Sequence, residues 1–88
     1  MSLEADIEAL ADEVAKENIR DSLKLFLNII SKHADTPNGD CFTIRLAQLP
    51  EETVEKFTKS VLALEQWVED ISLLKMLESF RRMFICDR

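Results

Sequence analysis

The stretch DTPNGDCFTIRLAQLPEE, residues 35–52, decides how this chain is read, because the sequence on either side of it has helical periodicity. It holds the single Gly, both Pro and one of the two Cys. Its first part is a turn with a mechanism: Pro37 presets φ, and Asn38-Gly39 tolerates positive φ. Cys41 to Leu46 then alternates, with Phe42, Ile44 and Leu46 on one side and Cys41, Thr43 and Arg45 on the other. That alternation predicts a short, half-buried β-strand over residues 41–46. Leu49-Pro50-Glu51-Glu52 predicts a helix start, with Pro at the first helical position and acids behind it.

Outward from this stretch, the apolar residues recur at three and four. Leu3, Ile7, Leu10 and Val14 form one helical face, and Glu4, Asp6 and Glu8 suit the positive end of its dipole. The stripe slips between Val14 and Ile19 and resumes as Ile19, Leu23, Phe26, Leu27 and Ile30. Asn18 stands at the slip with Asp21 three residues on. The spacing therefore favours two helices, the second capped by Asn18, over one bent helix. Lys32 and His33 suit its C-terminus, His33 as a solvated end residue. After Pro50, Val54, Phe57, Val61, Leu64, Val68 and Ile71 keep a coiled-coil-like spacing. From Ile71 the apolar residues step by three (Leu74, Leu77, Phe80), so the stripe winds around the helix. Leu73, Met76, Met83, Phe84 and Ile85 fill in the rest, and a break near Glu69-Asp70 fits the change. A helix apolar nearly all round must be surrounded. Leu73, Leu77, Phe80, Met83 and Phe84 are thus the candidate interface, with Arg81 and Arg82 beside them.

The pattern predicts a mainly α protein: a small helical domain of three to four helices, 1–88 as one unit, with one short strand. A chain of 88 residues is one domain with a small core. Yet 47% of it is hydrophobic, including five Phe, one Trp and three Met, which favours a partner to cover the excess. The lone strand points the same way. Its backbone groups need partners, and no second strand pattern exists in the chain. An antiparallel copy from a second chain, built on Phe42, Ile44 and Leu46, predicts a homodimer. The plainer alternative is an extended segment lying over helices.

A dimer strand followed by a helix resembles the ribbon-helix-helix family of DNA-binding repressors. The matching residues are Phe42-Thr43-Ile44-Arg45-Leu46 and Leu49-Pro50-Glu51-Glu52-Thr53-Val54-Glu55-Lys56-Phe57. The resemblance implies that Thr43 and Arg45 would read the major groove. The chain departs from the family: Ala47-Gln48 extends the link, no Gly or Asn separates two helices after Phe57, and few bases flank the strand. The net charge of −6 also disfavours general nucleic-acid binding, which needs Lys and Arg on phosphates. The acidity lies in residues 1–40, net −5, while residues 41–88 are net −1.

Catalytic and metal motifs fail on spacing. With Gly39 at position six of an EF-hand loop, position twelve would be Arg45, where a carboxylate is needed. His33, Cys41 and Cys86 with Asp35 or Asp40 lack the close paired spacing of zinc sites. Glu51-Glu52-x-x-Glu55 is half of the magnesium signature of the all-helical nucleotide pyrophosphohydrolases, but no E-x-x-D follows. One His and no Tyr give little support to a nucleophilic triad. No catalytic, cofactor or metal residue is therefore assigned. Cys41 and Cys86 read as free thiols, and the first ten residues lack a signal-peptide pattern, so a cytoplasmic protein is expected, with no membrane span. By elimination the expected function is a non-enzymatic protein-interaction or regulatory module, acting as a helical homodimer on an unidentified protein partner. A ribbon-helix-helix repressor is the alternative.

Overall fold

The computed structural model describes residues 2–33 and 45–84, the last two of these by their backbone alone. The described chain is mainly helical, with four helices in the order α1 (Leu3–Ala15), α2 (Ile19–His33), α3 (Glu51–Trp67) and α4 (Ile71–Phe84).

Local chemistry sets each boundary. The Ser2 hydroxyl accepts the Ala5 N–H at 3.1 Å and caps α1. The helix ends in a Schellman arrangement: Glu17 N–H donates to the Val14 carbonyl and Asn18 N–H to the Glu13 carbonyl. Glu17 takes φ 58, the left-handed region that favours glycine, at a cost of about 1 kcal/mol. The slip in the apolar stripe is thus a chain reversal between two helices, as the spacing predicts. Asn18 opens α2 through its carbonyl, which accepts from Ser22 N–H at 2.9 Å. Its side-chain amide donates to Glu13 and Asp21, tying the end of α1 to the start of α2.

The second hairpin is built the same way. Pro50 is the residue before α3, one position earlier than the sequence suggests, and its carbonyl accepts from Thr53 and Val54 N–H. The predicted break is present: α3 stops at Trp67, and the Asp70 carboxylate accepts Leu73 N–H at 3.0 Å to start α4.

The expected strand is corrected where it can be seen. Arg45, Leu46 and Ala47 form a helical turn, and no strand occurs among the described residues. Gln48 N–H donates to the Arg45 carbonyl and Leu49 N–H to the Leu46 carbonyl. A turn satisfies these groups locally, which a lone strand cannot do. It also places Leu46 in the core, with Leu49 packed against it three residues on. Cys41, Phe42, Thr43 and Ile44 lie outside the described residues.

α1 packs closely on both α2 and α3, and α4 packs on α3. Ile7 and Leu10 from α1, Phe26 and Ile29 from α2, Phe57, Val61 and Leu64 from α3, and Leu77 and Phe80 from α4 fill the centre. Phe80 meets Phe26 edge-on at 5.2 Å and Phe57 at 5.9 Å, so one ring joins three helices. Each such pair adds about 0.5–1.5 kcal/mol beyond burial. The Val54–Leu64 stripe read from the sequence is buried as expected. On α2 the buried line is displaced by one position, to Ser22, Phe26 and Ile29.

Candidate functional site

The structure offers two features beyond the core: a polar clasp at one end of the first hairpin and an apolar flank on α2. The clasp joins Asp6, in the first turns of α1, to His33, the last residue of α2, at 2.8 Å. The antiparallel hairpin brings these ends together. Each dipole suits its residue, a carboxylate near an N-terminus and an imidazole at a C-terminus. His33 is therefore not the solvated end residue its position suggests: its side chain is 14% exposed and that of Asp6 only 7%. Arg45 Nη1 donates to the His33 carbonyl at 2.6 Å, so the turn after the connection is fastened to the same point. The clasp thus joins three segments: α1, α2 and the Arg45 turn.

The flank follows from the displaced buried line. Ile19, Leu23, Leu27 and Ile30, spaced by four, four and three, form a stripe adjoining Ser22, Phe26 and Ile29. Ser22 and Ile29 are on the side that packs tightly, so this stripe is the outer edge of the core face. Ile19 is 42% exposed and Leu27 45%, with Leu23 and Ile30 only partly covered. On α4, Met76 stands one turn before Phe80, the residue that meets Phe26, and is 42% exposed. Leu73, beside it, is half-buried. An incompletely covered apolar strip thus borders the place where α2 and α4 meet. Leu62 and Ile71 are also exposed but stand singly, which is ordinary for a protein surface.

The charges sort by helix. α1 carries Glu4, Asp6, Glu8, Asp12 and Glu13 and no base. α3 sets Glu51, Glu52, Glu55 and Glu65 against Lys56 and Lys59, net −2. α2 sets Arg20, Lys24 and Lys32 against Asp21, and α4 sets Lys75, Arg81 and Arg82 against Glu78, so each is net +2 with His33 neutral. The acidity assigned to the N-terminal half is therefore a property of α1 with α3, and the open strip belongs to the two cationic helices. Ion pairs stitch the helices: Lys56 Nζ lies 2.7 Å from Glu8 Oε1, and Arg81 Nε lies 2.8 Å from Glu65 Oε2. The Glu8 carboxylate, which accepts the Lys56 hydrogen bonds, holds that ammonium's pKa above the ordinary 10.5.

The residues expected to form an interface divide. Leu77 and Phe80 are core, and Leu73 is half-buried. Met83 and Phe84 belong to α4, and their side chains lie outside the described residues. Nor is α4 surrounded by the rest of the chain, as its all-round apolar pattern suggests, since Ile71 and Met76 are exposed. Of the dimer-strand residues, Leu46 is buried in this chain's own core, while Phe42 and Ile44 lie outside the described residues. Of the expected DNA contacts, Arg45 is on a helical turn rather than a ribbon, and Thr43 is outside the described residues. Of the loose zinc cluster, His33 is engaged by Asp6, and Asp35, Asp40, Cys41 and Cys86 are outside the described residues. Among the described residues no three potential metal-ligating side chains come together, and no helix is long and apolar enough to cross a membrane. The α2 strip escaped the sequence reading because its residues were assigned to the core face. The polar Ser22 on the buried side was the signal that the face lay one position over. In comparisons with known proteins, no family model, curated protein or solved structure matches the chain.

Proposed function

We propose that this chain is a non-enzymatic protein-interaction module whose docking face is the outer stripe of α2 together with the Leu73–Met76 turn of α4. The observation that carries the reading is the coincidence of two properties on one side of the bundle. The apolar stripe Ile19–Ile30 is left half covered, and it lies on a cationic helix while the acids are concentrated on α1 and α3. A stripe of this spacing is what a helix-in-groove contact uses. A solvated face would place polar residues at Ile19 and Leu27 at no cost to the core.

The test is capture from the native host with wild-type protein and with the Ile19→Asp/Leu27→Asp double variant, both checked for unchanged helicity by circular dichroism. The proposal expects a protein retained by the wild type and lost from the variant. An identical captured set from both contradicts it.

A further inference from the structure

We infer that the occupant of this face is an amphipathic helix of a partner protein whose apolar stripe is bordered by Asp and Glu. The inference rests on the interaction-module reading and adds the partner's chemistry. Its first ground is the rim. Arg20 follows Ile19, and Lys24 follows Leu23 and is one turn on from Arg20; both are exposed and lie on the solvent side of the stripe. Across the strip, α4 presents Ser72 and Ser79, both exposed and uncharged, on either side of Met76. No acid of α2 borders the strip beyond Asp21, which accepts a hydrogen bond from Asn18. The α2 border is therefore cationic, and its complement is anionic.

The second ground is what the same charges disfavour. A two-fold pairing of this face with itself brings the exposed Arg20 and Lys24 of each copy to one interface, and like charges across an interface are repelled. A membrane surface is the other candidate for a basic amphipathic helix. Here the stripe residues are only half exposed, so they form a shallow strip rather than a wedge that can bury itself among acyl chains. The net charge of −6 also repels an anionic bilayer. A helix needs only a strip of side chains at three and four spacing to seat its own, and Met76 adapts to varied contours.

The experiment titrates the full chain, followed by the fluorescence of Trp67 and by isothermal calorimetry, with designed helical peptides. One carries a Leu stripe flanked by Glu, one has the same stripe flanked by Lys, and one is a scramble of the Glu peptide. Anionic phosphatidylglycerol vesicles and sedimentation of the chain alone complete the set. The expected result is saturable binding of the Glu peptide, with the Lys peptide and the scramble inert. Arg20→Glu/Lys24→Glu should weaken it about tenfold, and added salt should weaken it further. Glu55→Lys on α3 should leave it unchanged. Binding of the Lys peptide that is lost in Leu27→Asp overturns the acidic partner but leaves the interaction module standing. Binding to vesicles alone, self-association through Leu27, or no response to any peptide also overturns it. Capture from the host by the wild type, lost in the double variant, then decides separately whether the module reading survives.

Discussion

The two sides of this bundle solve opposite problems. On the side of α1 and α3, Ile7, Leu10, Phe57, Val61 and Leu64 are sealed, and outside them Glu8 is tied to Lys56 across the two helices. On the side of α2 and α4, Phe26 and Phe80 are sealed but the next residues outward are not. The difference teaches how a small chain spends its apolar residues. One face becomes core for both neighbours of α1, and the surplus collects where α2 meets α4. The closed side should therefore carry stability and the open side should tolerate change.

The sharpest way to break that contrast is a paired substitution. Phe57→Ala removes a fully buried ring and its edge-on contact with Phe80, and should cost about 3–5 kcal/mol. That is a large share of the stability of a domain this size. Leu27→Ser on the open stripe should cost less than about 1 kcal/mol. Urea unfolding of both variants measures the difference, and similar losses would erase the distinction between the sides.

Asp6→Ala comes next. It strips the half-buried His33 ring of the side chain it bonds and loosens the joint between α1, α2 and the Arg45 turn, at about 2 kcal/mol. Urea unfolding measures the loss, and a midpoint equal to that of the wild type would mean that the clasp does not hold this joint.

Ser22→Ala tests the displaced face of α2 in the opposite direction. The Ser22 hydroxyl is fully buried and makes no hydrogen bond among the described residues. Removing it should stabilise the fold by about 1 kcal/mol, read as a higher urea midpoint at unchanged slope. Destabilisation would show that the hydroxyl has a role the core needs.

The smallest effect is at alkaline pH. The Lys56 pKa is raised in the folded state by Glu8, so the pair's contribution is complete below 10.5 and is lost as pH climbs through the higher folded value. The gap in thermal midpoint between wild type and Lys56→Gln should therefore be constant at neutral pH and close above pH 10.5. A gap that closes in the acid range instead would assign the effect to Glu8 protonation.

Much of the architecture was legible because it rests on local rules. The +3/+4 spacing indicated three to four helices, the slip at Val14–Ile19 favoured a reversal there, and the change of pattern near Glu69-Asp70 fitted the break now seen between α3 and α4. The strand pattern at Cys41–Leu46 misled at its end, because Leu46 also stands three residues before Leu49, a spacing that suits a helical turn dropping both onto the core. The clasp was hidden for a different reason: Asp6 and His33 are 27 residues apart, and only the hairpin brings them together. The open strip was half legible. Its residues were recognised as apolar, but which of two adjoining stripes faces inward depends on neighbouring helices, and here they cover the Ser22–Ile29 side. Charge by helix was equally invisible until the helices had neighbours.

In the proposed reading one side of this bundle is closed and the other receives an acidic helix. Amide chemical-shift mapping of the labelled chain, titrated with the Glu-flanked Leu peptide, reads this out residue by residue. Shifts confined to α2 and to the Leu73–Met76 part of α4, saturating and diminished by salt, are the predicted result. Shifts centred on α1 and α3, or none at saturating peptide, would contradict it.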